Sequence, residues 1–224
     1  TTGNLPTSTA HWSTFASGSG GIWNSGLSIG TAGQVVKVNS GASALEFGTI
    51  SSDFVKTGYI EIGSDASSFD LQNCFTSDYD IYKVVFTART TGATNARFRF
   101  YTGTNTEVTS NNYRYGQWLV TTNSSTNTNG NSSGYSETNF FPRENIDGNA
   151  VHSGNWDIMV YNPYDSAVKT YVSWQYAGFD GSYLRTAQGG GFYDNAESHT
   201  GLKFYVAAHN YRAGAQVGCY GFKK

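Results

Sequence analysis

The sequence predicts an all-β protein, and three observations carry that expectation. Charged residues make up only 13% of the 224-residue chain while aromatics reach 16%, against roughly 25% charged in an ordinary soluble domain. Polarity comes instead from Ser, Thr, Asn and 27 glycines, a mixture that favours strands joined by polar turns over helices. Beyond residue 58, apolar residues recur at every second position, the period of a strand with one buried face.

Residues 1–57 stand apart from the rest. They are rich in Gly and Ser and broken every few residues, as in His11-Trp-Ser-Thr-Phe-Ala-Ser-Gly-Ser-Gly-Gly-Ile-Trp23. The apolar residues here (among them Trp12, Trp23, Val36, Val38, Leu45 and Phe47) are too sparse for a self-sufficient core and too numerous for a disordered linker. Burial between chains resolves that mismatch. The other reading is a flexible tether that orders only on assembly.

Residues 58–224 are expected to form a head domain. Tyr59-Ile-Glu-Ile62 opens the strand set, and Tyr82, Val84, Phe86 and Ala88 share one face of the next run. Phe98 and Phe100 alternate with Arg97, Arg99 and Tyr101. Trp156, Ile158 and Val160 alternate with Asp157, Met159 and Tyr161. Val172, Trp174 and Tyr176 follow with the same period, then Leu202, Phe204 and Val206, and the chain closes on Ala215–Phe222. Turn chemistry separates these runs at Thr91–Asn95, Thr102–Asn105, Asn162–Asp165 and Asp180–Ser182. The low-complexity run Thr121–Gly134 reads as an exposed loop. About eight to ten strands fit an antiparallel sandwich or jelly roll.

Composition excludes several functional classes. A net charge of −2 and a pI near 6.0 provide no basic footprint for nucleic acid and no polybasic membrane patch. No apolar run approaches the roughly 20 residues of a membrane-spanning helix, so no membrane insertion is expected. The first residues, Thr1-Thr-Gly-Asn-Leu-Pro6, do not show the signal-peptide pattern, a segment that processing removes in any case. Cys74 and Cys219 are too few for a disulfide scaffold. Buried free thiols are expected, with one bridge between the first and last strands of a sandwich as the alternative.

Catalytic and metal motifs are weak throughout. Asp78, Asp80, Asp157, Asp165, Asp180, Asp194 and Glu197 could supply the paired carboxylates of a glycosidase, yet most sit in turn contexts where Asp caps its own backbone. Asp78-Tyr-Asp80 lacks the glycine and distal glutamate of a calcium loop. There is no Gly-x-Ser-x-Gly elbow, and Gly189-Gly-Gly191 precedes Phe192-Tyr193 rather than a phosphate-binding Lys, so it reads as a bulge or tight crossing. His152 and His199 read as turn or surface residues. No enzyme, cofactor, metal or catalytic residue is expected. The remaining chemistry is an aromatic-polar surface. Tyr113, Tyr115, Trp118, Tyr183 and Arg185 lie near loops and are the candidates for stacking on and hydrogen bonding to a glycan. Trp174 and Tyr176 share a face with Val172 and belong in the core. Arg97, Arg99 and Arg114 are candidates for ion pairs at a subunit interface.

The stretch Gly30-Thr-Ala-Gly-Gln-Val-Val-Lys-Val-Asn-Ser-Gly-Ala-Ser-Ala-Leu-Glu-Phe-Gly-Thr-Ile50 resembles the linker repeat of tail fibres and other virion appendages of marine tailed phages. Ser77–Val84, Ala96–Tyr101, Asn112–Tyr115, Met159–Tyr164, Gly189–Tyr193, Gly201–Tyr205 and Cys219–Phe222, taken in that order, resemble the terminal sandwich of marine and cyanobacterial phage structural proteins. The resemblance covers about four-fifths of the chain. It implies a homotrimer on the virion surface, assembled in the host cytoplasm, with an N-terminal intertwined trimeric β stalk and a C-terminal jelly-roll-like antiparallel β-sandwich. The N-terminal segment would attach to other virion proteins, and the head would bind host cell-surface polysaccharide. One linker copy argues against a long shaft. A capsid decoration protein is the alternative, and a polysaccharide-degrading tailspike is a third class.

Overall fold

A computed structural model describes residues 30–49, 52–122, 127–141, 145–179 and 181–224. Trp12 and Trp23, expected in stalk packing, and the carboxylate Asp180 lie outside the described residues. The chain divides into two compact units, Thr1–Ser52 and Asp53–Lys224. Among the described residues there is strand, turn and irregular structure but no helix.

In the first unit, β1 (Gln34–Val38) and β2 (Leu45–Thr49) form an antiparallel hairpin. Its turn is built by Asn39, whose side-chain oxygen accepts hydrogen bonds from the N–H groups of Ser43 (2.9 Å) and Ala44 (3.2 Å). The register sets Val36 opposite Phe47 and Val38 opposite Leu45, so these four side chains share one face. Lys37 and Glu46 pair across the other at 3.3 Å. Leu45 and Phe47 are half-buried, but Val36 is exposed and Val38 is 58% exposed.

Among the described residues the second unit contains thirteen strands: β3 (Phe54–Glu61), β4 (Ser68–Leu71), β5 (Ile81–Ala88), β6 (Thr94–Gly103), β7 (Thr106–Glu107), β8 (Tyr113–Thr122), β9 (Asn127–Glu137), β10 (Asn145–Ile146), β11 (Gly154–Tyr161), β12 (Lys169–Phe179), β13 (Leu184–Ala196), β14 (Gly201–Val206) and β15 (Gln216–Phe222). An eight-stranded sheet runs β3-β15-β5-β11-β12-β13-β8-β9, and a five-stranded sheet runs β10-β6-β14-β4 with β7 paired to β6. The pairing is antiparallel throughout. The result is an unequal β-sandwich with a β11-β12-β13 meander in its larger sheet, rather than the eight strands of a jelly roll.

The expected inner faces of β5, β11, β12 and β14 are buried, including Tyr82, Val84, Phe86, Trp156, Ile158, Trp174, Tyr176 and Phe204. Rings from the two sheets meet between the layers. Phe86 of β5 lies 4.8 Å from Phe204 of β14, and Phe98 of β6 lies 6.4 Å from Trp174 of β12. Edge-on and offset contacts of this kind add to the burial of the ring surface. Positive φ values at Asn105 (60°), Asn162 (52°) and Gly181 (89°) place left-handed residues within three of the expected turns.

The polar run Thr121–Gly134, expected as a loop, instead supplies most of β9, an edge strand eleven residues long. Backbone bonding to β8 needs no apolar side chains from the edge strand, so the alternation that marks a half-buried strand is missing. Gly189–Gly191 lies inside β13 as a tight crossing. A Cβ at Gly189 would sit 2.6 Å from Cβ of Gln117 and 2.8 Å from the Trp174 ring.

Cys74 and Cys219 are buried free thiols. Burial pushes the Cys74 thiol well above its ordinary value. His199, expected in a turn or on the surface, is wholly buried. Its Nδ1 lies 2.8 Å from the Thr170 hydroxyl, and its ring stacks on Phe100 at 4.2 Å. Burial lowers its pKa from 6.5 to about 3. The unfolded chain therefore takes up a proton that the folded chain refuses. This contribution to stability is complete above pH 6.5 and is lost as pH falls towards about 3. Urea denaturation should show stability falling by up to about 1.4 kcal/mol per pH unit between pH 6 and 5. In His199→Gln that slope should flatten. A variant with an unchanged slope would show that another group is responsible.

Candidate functional site

The five residues expected to touch a ligand do not converge. Tyr113 is a core residue with no exposed surface. Its hydroxyl donates to the Val108 carbonyl and accepts from the Phe100 N–H, both at 3.0 Å, so its hydrogen bonding is used internally. Tyr115 is half-buried on the same inward side of β8 and packs 6.2 Å from Trp174. Arg185 shares its face of β13 with buried Ala187, and Tyr183 precedes that strand. Only Trp118 projects from the outer face of the large sheet, at 49% exposure. Arg99 and Arg114, candidates for a subunit interface, find Glu107 and Asp194 in their own chain.

Strand register defines the surface around Trp118. On β8 the outward residues are Arg114, Gly116 and Trp118, alternating with buried Tyr113 and Gln117. On β13 they are Phe192, Gly190 and Gln188, and on β12 they are Tyr171, Ser173 and Gln175. Register places Trp118 beside Gln188, Gln188 beside Gln175, and Gln175 beside Asp157 of β11. The parallel row beneath is Ser133, Gly116, Gly190 and Ser173. A third row holds Arg114, Phe192 and Tyr171. A floor of small side chains therefore crosses four strands between two walls of large ones.

Concavities follow this relief. One of about 660 Å³ lies between Trp118 and the Lys83–Asp157 ion pair, which closes at 2.5 Å. Another of about 630 Å³ is lined by Arg114, Tyr135, Tyr171 and Phe192, and Gly116 lines both. A third, also about 630 Å³, lies on the far side of Trp118 towards Val120 and Thr186. All three fall in the size range of small-ligand sites. At the Arg114 end, the guanidinium stacks 3.8 Å from the Tyr135 ring and the Lys169 ammonium lies 5.3 Å from that of Phe192. Both cations contact Asp194. Lys169, with Arg114, holds the Asp194 carboxyl below its ordinary value.

Exposed rings beside amides and balanced charges can stack on sugar faces and hydrogen-bond to hydroxyls. Hydrolysis makes a different demand, since a glycosidase acid must stay protonated near neutral pH. Asp194 moves in the opposite direction. Glu107 does too: burial would raise its carboxyl, but Arg99 and Lys203 overcome that and lower it. Sequence reasoning missed Gly116, Tyr135, Tyr171, Gln175 and Gln188 because they converge across strands, where only register reveals them. Comparisons with protein-family models, curated proteins and solved structures return no match.

Opposite sides of β8 should respond differently to substitution. Trp118→Ala should change folding stability by less than about 0.5 kcal/mol, as outward surface changes usually do. Tyr113→Phe should cost about 1–3 kcal/mol because it leaves a buried backbone carbonyl without its donor. Denaturant midpoints of the two variants check this ordering, and a larger loss for Trp118→Ala would contradict the outward assignment.

Proposed function

We propose that this protein is a non-enzymatic virion appendage of a tailed phage, a homotrimer whose head attaches the particle to host-surface glycan. The observation that carries this reading is the hairpin of the first unit. Val36, Val38, Leu45 and Phe47 share one face of a two-stranded ribbon, yet Val36 and Val38 remain exposed. Isolated hairpins are marginal in water. Sister chains that lay the same face together would bury what a single chain leaves wet. The second unit has its own core, as a head carried on such a stalk requires. The likeness of Gly30–Ile50 to phage linker repeats supplies the biological setting. Other virion proteins would be engaged through the N-terminal segment, and the head would face the host at the virion surface.

Attachment by this route is multivalent. Three heads per appendage and many appendages per particle turn weak single contacts into strong adhesion. Light scattering of the full chain should give a mass near three times 24.3 kDa. Val36→Asp combined with Val38→Asp should reduce it to the mass of one chain while the head keeps its melting temperature. A wild-type chain that is monomeric at micromolar concentration would sink the trimeric fibre and favour a decoration protein that packs on a capsid.

A further inference from the structure

The geometry points to a specific ligand class for the head: we propose that the trough over Gly116 binds a linear acidic glycan, with a sugar carboxylate at Arg114 and Lys169 and a ring face on Trp118. This rests on the attachment role proposed above and names what the head would hold. Three neighbouring strands each present a large, small, large triplet outward: Arg114-x-Gly116-x-Trp118, Gln188-x-Gly190-x-Phe192 and Tyr171-x-Ser173-x-Gln175. Register aligns the three small residues, and Ser133 of β9 extends the line. Four strands at about 4.8 Å spacing make a floor roughly 15 Å long, enough for a few pyranose rings.

Gly116 is the informative member. A glycine within a strand weakens it and often marks close approach by a ligand or another backbone. Gly189 and Gly191 have internal reasons, since a Cβ at either would collide with Gln117 or with the Arg114 carbonyl. A Cβ at Gly116 would meet no atom within 4 Å. Among the described residues no neighbour crowds this position, which leaves the space above it open to something outside the chain.

The surrounding chemistry selects the occupant. Tyr135 is 74% exposed and Tyr171 and Trp118 about half exposed, which supplies flat apolar platforms. Gln188 and Gln175 supply amides for hydroxyls. Lys83 and Asp157 cancel each other, but Arg114 and Lys169 share the single carboxylate of Asp194. Among the described residues this cluster of two cations and one carboxylate keeps one positive charge, and a guanidinium fork suits a carboxylate. One excess charge is far from a nucleic-acid footprint. Peptides that add to sheets use edges rather than faces.

Calorimetry on the full chain tests the assignment with two probes, a β-linked mannuronate hexamer and the matched mannose hexamer, which differ only in a carboxylate against a hydroxymethyl group. The acidic hexamer should bind about tenfold more tightly at low salt, as one added charged hydrogen bond would give, and salt should erode the difference. Arg114→Gln should abolish the preference and spare neutral binding. Gly116→Phe should abolish binding of both hexamers at an unchanged melting temperature, and Ser173→Trp should do the same from the neighbouring strand. Equal binding of the two hexamers, or a preference that survives Arg114→Gln, overturns the acidic class but leaves a glycan-binding head. Wild-type binding by both trough-filling variants overturns the location. If neither hexamer binds, the proposal fails outright, while the trimeric appendage is judged separately by its mass.

Discussion

Packing of large rings between the two sheets constrains the rest of the head. Phe86 stacks on Trp156 at 4.6 Å, Phe69 stacks on Phe204 across the β4–β14 pair at 5.6 Å, and Phe86 and Phe98 reach from one layer to rings of the other. Two sheets about 10 Å apart cannot carry such rings at every inward position. Glycine relieves the crowding: a Cβ at Gly154 would lie 2.5 Å from the Trp156 ring, and one at Gly191 3.0 Å from Phe140. These two glycines therefore serve the core rather than a loop. The same constraint makes Gly116 informative, because it is a strand glycine that no ring demands.

Rings with polar atoms add a second requirement, since each buried hydroxyl must find a partner. Tyr113 bridges Phe100 and Val108, Tyr82 donates to the Thr76 carbonyl at 2.9 Å, and Tyr211 donates to that of Tyr205 at 3.1 Å. Each bond ties a strand or its flanking loop to the aromatic layer. Tyrosine here does the packing work of phenylalanine while fixing the path of the backbone beside it. A tyrosine-rich sequence is thus as compatible with a dry core as with a binding surface, and Tyr113 falls on the core side.

That ambiguity explains what the sequence revealed. The inner faces of β5, β11, β12 and β14 were legible because apolar residues alternate with Lys, Asp, Ser or Gln, so period and polarity agree. On β8 the inward set mixes Tyr113, Tyr115, Gln117 and Leu119, while the outward set includes Trp118, and polarity no longer identifies the face. β9 carries mainly Asn, Ser, Thr and Gly, and it is a strand because β8 holds its backbone. The trough was not legible at all. Each of its rows takes one residue per strand from positions far apart in sequence, and a single-residue register slip would turn every one of them inward.

Charge is used sparingly, and around the large sheet's outer face and β6 it is met within the chain. Arg99 and Lys203 meet Glu107, Lys83 meets Asp157, and Arg114 and Lys169 meet Asp194. With only 13% of residues charged and a net charge of −2, long-range steering of a partner is weak, and the proposed recognition would depend chiefly on contact between rings, amides and hydroxyls. Such contacts are individually modest once desolvation and ordering are set against them. A monomeric head of this kind would hold a polymer briefly. Repetition makes the same surface effective, because release of one site leaves its neighbours bound. In this reading the exposed valines of the hairpin and the open floor at Gly116 are linked: the first would join the chains, and only a joined array gives the second enough hold to matter.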